Sequence, residues 1–317
     1  MRSSAAPLPA VMAIVTSAPT ERGLCPSLAH SYNAAKLSGH SSRQMFNEQT
    51  VIITGAGGGI GAATARRFAA LGASVVVNDI NRKACREVAA DIQSTGGLAV
   101  AAPGDVTAAD EPERLVQKAL KYGGKINVLI NNAGFTWDGM LHKMSDAQWQ
   151  HILDLHTTAP FRLIRALAQV WRPQAKAEKA ADQPHPHRCI INVSSTSGLH
   201  GSTGQINYAT AKMGLIGMTK TVAREWGPLG IRCNAVAFGF MDTRLTRSVQ
   251  EGHVQQVGDH HVVLGIPDPV RRAAFAQIPM GRPGTVAEAA GGILMLASPW
   301  ASYVNGHTLE VTGGLGI

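Results

Sequence analysis

Cysteines, aromatic residues and long apolar runs are all scarce in this chain, and each shortage removes a class of protein. Cys25, Cys85, Cys189 and Cys233 are the 4 cysteines among 317 residues, too few for a disulfide scaffold and without any CxxC spacing. They suit a reducing compartment. The longest apolar stretches, such as Ala10 to Val15 and Ile293 to Ala297, fall far short of the ~18–20 residues that cross a bilayer. No membrane span is expected. Charged residues make up only 16% of the chain against 45% hydrophobic ones, enough apolar side chain to bury a full core and too much for a disordered protein. The net charge of +8 raises nucleic acid as a partner. The basic residues are scattered, however, and no stripe of basic and aromatic side chains accompanies them, so nucleic acid is not expected.

Acid is scarcest at the amino end, where Glu21 stands alone against Arg2, Arg22, Lys36 and Arg43. Residues 1–45 are rich in Ser and Ala and carry no sustained helical period, so they read as an extension before a single domain over 46–317. Two readings of the extension stand. It is an organellar transit peptide, which would make the protein mitochondrial, or a disordered segment on a cytoplasmic protein. A secretory signal over Leu8 to Val15 is disfavoured by Pro9 within it and by the free cysteines.

From Thr50 onward, short β-branched runs alternate with helical stretches. Val51 to Ile53, Ser74 to Val77, Val128 to Ile130 and Cys189 to Val193 are continuous apolar runs, as strands buried on both faces should be. Gly61 to Leu71, Arg82 to Thr95, Pro112 to Tyr122 and Ala147 to Trp171 read as the helices between them. Strand then helix, repeated, predicts an α/β fold with one doubly wound parallel sheet and helices on both faces. Two inserts break the rhythm, Arg172 to Arg188 and Arg244 to Gln277, and both are expected at the surface.

The turn Thr54-Gly55-Ala56-Gly57-Gly58-Gly59-Ile60-Gly61 follows the first strand and opens the first helix. Glycines let a backbone approach a ligand closely, and the N–H groups at a helix start attract a pyrophosphate. The next strand ends at Asp79, twenty residues after Gly59, where a carboxylate can accept hydrogen bonds from an adenosine ribose. The plainer reading is that Asp79 only caps the strand end. On the ribose reading its charge repels a 2′-phosphate, so NAD is favoured while NADP stays open, with Arg82 close enough to soften the preference.

These residues, taken with others further on, resemble the short-chain dehydrogenases/reductases over nearly all of Thr50 to Ile317. Thr54 to Gly61 is similar to the family's glycine turn, Asp105-Val106 to its adenine-pocket pair, and Asn131-Asn132-Ala133-Gly134 to its NNAG element. Ser195 stands thirteen residues before Tyr208, and Tyr208 and Lys212 have the YxxxK spacing. Gly204 to Tyr208, Ile278 to Arg282 and Val311 to Gly314 resemble most the branch containing 3-oxoacyl-acyl-carrier-protein reductases. The resemblance implies a Rossmann-type domain and a nicotinamide cofactor held by Gly55, Gly57, Gly58, Gly59, Ile60, Gly61, Asp79, Asp105, Val106, Asn132, Ala133, Gly134, Tyr208, Lys212, Met241 and Thr243. It also implies a ketone or secondary-alcohol substrate, first of all an acyl thioester, and a homo-oligomer, tetramer or dimer, packed through Ala147 to Trp171 and Tyr208 to Trp226.

The chemistry also follows from the side chains. Tyr208 and Lys212 are i and i+4 and share a helix face, where an ammonium is expected to lower the phenol pKa towards the working pH. Tyr208 is then the acid for ketone reduction and the base for alcohol oxidation, and Ser195 donates a hydrogen bond to the substrate oxygen. Two positions depart from the family. His156 stands where it has an Asn that helps hold a proton-relay water, and reads either as an altered relay member or as helix packing. Phe238 replaces a Pro and is expected to change the loop leading to Met241 and Thr243. No metal is expected: His260 and His261 in the second insert lack ligand spacing, and His185 and His187 in the first are expected in solvent. Trp137 and Met140 read either as the substrate entrance or as core.

Overall fold

The computed structural model describes residues 44–257 and 260–316; the expected extension 1–45 lies almost wholly outside them. The chain first winds β1 (Thr50–Ile53), α1 (Gly59–Ala70), β2 (Ser74–Val77), α2 (Arg82–Ser94), β3 (Leu98–Ala101) and α3 (Glu111–Gly123). It returns through β4 (Val128–Asn131), α4 (Asp146–Leu153), α5 (Ala159–Ala180), β5 (Arg188–Ser195), α6 (Thr196–His200), α7 (Ile206–Trp226) and β6 (Ile231–Phe238). A hairpin of β7 (Val254–Val257) and β8 (His260–Val263), α8 (Asp268–Ala276), α9 (Val286–Ala297) and β9 (Thr308–Val311) complete it. Seven of these strands form one parallel sheet in the order β3-β2-β1-β4-β5-β6-β9. The chain reverses its winding between β1 and β4, and in such sheets ligands bind beyond the strand ends at that crevice.

Successive residues of each strand feed opposite cores, which is why the runs are continuously apolar. Val51, Ile53, Val75, Val77, Val128 and Ile130 pack on one face with α1, α2 and α9. Ile52, Val76, Leu129 and Ile190 pack on the other with α3, α5 and α7. Phe46 enters the first core and stacks on Phe68, ring centroids 4.6 Å apart.

The helix expected over Ala147 to Trp171 is in fact α4 and α5 joined by a turn of π-helix at Asp154–Thr158, and such turns are frequent at functional sites. Nor does it end at Trp171. Arg172 to Ala180 of the first insert continue α5, with the exposed Pro173 inside the helix. The end of that insert is not surface either. Arg188 is buried and chelates Glu178 at 2.7 and 2.8 Å. His187, expected in solvent, is part-buried: Nδ1 meets Gln49 Oε1 at 2.8 Å and Nε2 meets the buried Arg232 at 3.3 Å. Among the described residues Arg232 has no acidic partner; it donates to the carbonyls of Leu296 and Ser298 at the negative end of α9 and to that of Val304 in the loop beyond.

The second insert folds over the sheet's carboxyl edge. Val262 and Leu264 are buried in a small third core with Phe135, Ile152 and Ala211, and Tyr208 and Trp137 pack against it. Of the two residues left open between entrance and core, Trp137 therefore packs, its ring 5.0 Å from His260 and 5.8 Å from His151, while Met140 is exposed.

Candidate active site

Every residue assigned a site role from the sequence lines one cavity of about 1460 Å³ at the carboxyl ends of the strands. Gly55 takes a left-handed φ of 62° there, and a Cβ at this position would come within 2.7 Å of the Ala133 Cα. At Gly58 the space is open, the start of α1 has no side-chain cap, and its first turn carries no acidic residue. An uncapped helix start facing an open cradle is complementary to a pyrophosphate.

The carboxylate of Asp79 holds this turn. Oδ2 accepts from Gly57 N at 2.8 Å and Oδ1 from Asn81 N at 2.9 Å, leaving lone pairs on both oxygens. Asn132 ties the NNAG element to the same turn, its Nδ2 donating to Thr54 O at 2.9 Å and Gly55 O at 3.1 Å. Asp105 closes its own turn by accepting from Thr107 N and Oγ1. Met241 is buried against Gly284, and Thr243 caps the turn that leads into the second insert. Phe238 ends β6 within the first core, opposite Ser195 on β5 and Val311 on β9.

At the other end of the cavity β5 and α7 are stitched together. Lys212 Nζ donates to Val193 O at 2.7 Å and Ser194 Oγ to Lys212 O at 2.8 Å. The ammonium nitrogen lies 5.4 Å from the centroid of the Tyr208 ring. The expected lowering of the phenol is not what the structure gives. Burial pushes Tyr208 up to about 12, outweighing the opposite effect of the Ser195 hydroxyl, and burial brings Lys212 down to about 7. A desolvated lysine is a weak source of positive charge, and desolvation disfavours the phenolate as well.

His156 is buried within the π-turn, edge-on to Tyr208 with ring centroids 5.1 Å apart. Burial, helped by Lys212, holds its pKa well below the usual value. The neutral ring must then donate from Nε2 to Phe135 O, 2.8 Å away; Nδ1 remains a buried acceptor with no partner among the described residues.

Sequence reading missed a second layer on the same wall. Gln205 Nε2 donates to Asp138 Oδ2 at 2.9 Å, Ser197 Oγ donates to Gln205 Oε1 at 2.9 Å, and Ser197 N donates to Ser195 Oγ at 3.1 Å. Asp138 belongs to none of the motifs read from the sequence, and only the fold brings it to Gln205. Among the described residues no group of three or more His, Cys, Asp or Glu is placed to hold a metal, and no helix is long and apolar enough to cross a membrane.

Comparison with known proteins agrees with this geometry. The sequence model of a family described as enoyl-(acyl carrier protein) reductase matches residues 55–316. A 3-oxoacyl-[acyl-carrier-protein] reductase of Synechocystis is 36% identical over 269 residues, covering 84% of this chain and 96% of the relative. The enzymes of the same name from Chlamydia muridarum (37% identical; 84% and 97% covered) and Escherichia coli (34%; 85% and 98%) match over the same span. With glycine turn, Ser195, Tyr208 and Lys212 gathered in one cavity and such relatives aligned along the whole domain, the chain belongs to the short-chain dehydrogenase/reductase family, nicotinamide-dependent oxidoreductases acting between carbonyl and alcohol.

Proposed function

We propose that the protein reduces the 3-oxo group of an acyl thioester with NADH, and that Tyr208 supplies the proton. The observation that carries this reading is the single cavity with an anion cradle and Asp79 at one end and Ser195, Tyr208 and Lys212 at the other. The names of the relatives supply the substrate class. A nicotinamide dinucleotide held by the glycine turn, Asp79 and the NNAG element would supply the hydride. Ser195 Oγ, oriented by Ser197 N, donates to the substrate oxygen as negative charge grows there. Tyr208, kept protonated by its burial, gives its proton to that oxygen, and Lys212 then favours the phenolate left behind. His156, in contact with Tyr208, offers Nδ1 as the acceptor for a donor on the route by which the phenol regains its proton. NAD is favoured over NADP because Asp79 lines the cavity, Arg82 is absent from its lining, and Arg66, a cation that does line it, is tied to Asp91 at 2.6 Å. A homo-oligomer packed through α4, α5 and α7, and a cytoplasmic or mitochondrial location set by residues 1–45, complete the proposal.

Initial rates of NADH and NADPH oxidation by the full chain with acetoacetyl-CoA test it. Turnover with NADH preferred is the expected result, and Tyr208→Phe should lower it by ~10²–10⁴-fold, as loss of a general acid does. The description of the matching family model names reduction of a carbon–carbon double bond instead. Turnover of crotonyl-CoA with none of acetoacetyl-CoA would favour that reading, while unchanged activity in Tyr208→Phe would sink the proton-transfer assignment. NADH binding without turnover of any ketone would leave a cofactor-binding protein that has lost the chemistry.

A further inference from the structure

The carboxylate of Asp138 has no role in the proposed proton transfer, yet it shares a cavity with the groups that do. It lines the cavity together with Ser195, Ser197, Gln205 and Tyr208. Its loop is pinned to the start of α7: Gly139 N donates to Gly204 O at 2.8 Å, and Asn207 Nδ2 donates to Trp137 O at 3.1 Å and Gln148 O at 3.2 Å. The side chain is therefore a fixed part of the wall. One oxygen takes the Gln205 amide, and no cation among the described residues pairs with the group.

We propose that Asp138 is a specificity-determining residue that excludes substrates carrying a carboxylate next to the reacting carbonyl, so that the site accepts neutral esters and thioesters and rejects the free 3-oxo acids. A free 3-oxo acid differs from its thioester in the charge at C1. The C3 oxygen must lie against Ser195 and Tyr208, which puts C1 on a neighbouring part of the wall. From Ser195 that wall continues through Ser197 and Gln205 to the solvent-exposed Asp138 carboxylate, and two anions brought face to face there repel one another. Although the residue is exposed, neighbouring atoms partly desolvate its carboxyl and hold it above its usual value, a shift Gln205 opposes, and the Asp138 charge reaches Tyr208, whose pKa it raises. The other ionisable groups on the cavity wall do not cancel it. His156 is neutral, Lys212 is turned to Val193 O, Arg66 and Arg247 are taken by Asp91 and Asp242, and His151, His200 and Arg244 stand on other elements.

The inference deepens the thioester reading and rests on the same site. Its test uses two ligands of equal length that differ in charge, octanoate and octanamide, titrated calorimetrically into the full chain with NADH at pH 7.5. The wild type should bind octanamide at least about tenfold more tightly, equivalent to about 1.4 kcal/mol. Asp138→Asn keeps the size and the acceptor for Gln205 but removes the charge, and should bring the ratio close to one by strengthening octanoate binding. Asp138→Glu should restore the exclusion, which a purely structural role would not require. Equal binding of the two ligands by the wild type, or an unchanged ratio in Asp138→Asn, overturns the proposal. Because binding is read without turnover, a protein that discriminates the ligands but never reduces acetoacetyl-CoA would refute the thioester reading and leave the role of Asp138 standing.

Discussion

Tyr208 and Lys212 illustrate how burial can overrule a short-range charge. The phenol at about 12 and the amine at about 7 are each pushed towards the neutral form. The acid needed for reduction is therefore fully loaded at neutral pH, whereas alcohol oxidation must first remove that proton. We expect kcat/KM for reduction to be independent of the Tyr208 ionisation between pH 6 and 8, and kcat/KM for oxidation to climb with pH over the same range; paired pH profiles check this. A second residue-scale constraint joins Gly134 to His156. A methyl group on Gly134 would collide with the imidazole Cε1, and overpacking of this kind costs ~1–3 kcal/mol. Gly134→Ala should lower the thermal midpoint, and the double variant with His156→Ala should recover most of the loss, as a double-mutant cycle of melting curves would show.

The hairpin of β7 and β8 is an element held by a few side chains, which makes it the part most open to perturbation. Leu264 is fully buried beside Val262 and Phe135, and truncating a buried Leu costs ~2–5 kcal/mol where neighbours cannot collapse onto the gap. Leu264→Ala should loosen the covering segment, raising KM for an acyl substrate severalfold and speeding proteolysis within residues 244–267 while the affinity for NADH stays as it was. Elements of this kind are also where sequence reading stopped. The strands β1, β2, β4 and β5 were legible because both faces are buried and their residues are continuously apolar. The strand β3 is apolar but half alanine, with Leu98 exposed, so it lacks the β-branched signature of the others, while β6 is interrupted by Arg232 and Asn234 and β9 carries Glu310. Arg232 and Asn234 are tolerated in a buried strand only because carbonyls from α9 and the loop after it satisfy them, a partnership no local pattern reveals. The cofactor cradle was readable because its residues are contiguous in the chain. The wall built from Asp138, Gln205 and Ser197 was not, since it joins the loop before α4 to α6 and the loop after it, with α4, α5 and β5 between them in the chain.

At the scale of the whole molecule, the amino-terminal edge of the sheet holds an acid-sensitive joint. His187 bridges Gln49 before β1 and Arg232 on β6, and burial with the nearby Arg232 charge lowers it from 6.5 to about 4. A group depressed in the folded state leaves stability intact above its unfolded pKa and withdraws it as the pH falls towards the folded one. Urea midpoints should therefore hold above pH 6.5 and decline towards pH 4, by up to about 3 kcal/mol from this group. His187→Gln should flatten part of the decline, and His156, also depressed by burial, contributes in the same direction. Light scattering after size exclusion would decide the proposed assembly, a single monomeric peak overturning it. The packing of Trp137 between His151 and His260 has an optical consequence as well. An indole wedged between the fixed α4 and the covering hairpin changes its surroundings whenever that hairpin lifts, so the emission lost in a Trp137→Phe comparison is an intrinsic, label-free clock for opening and closing of the site.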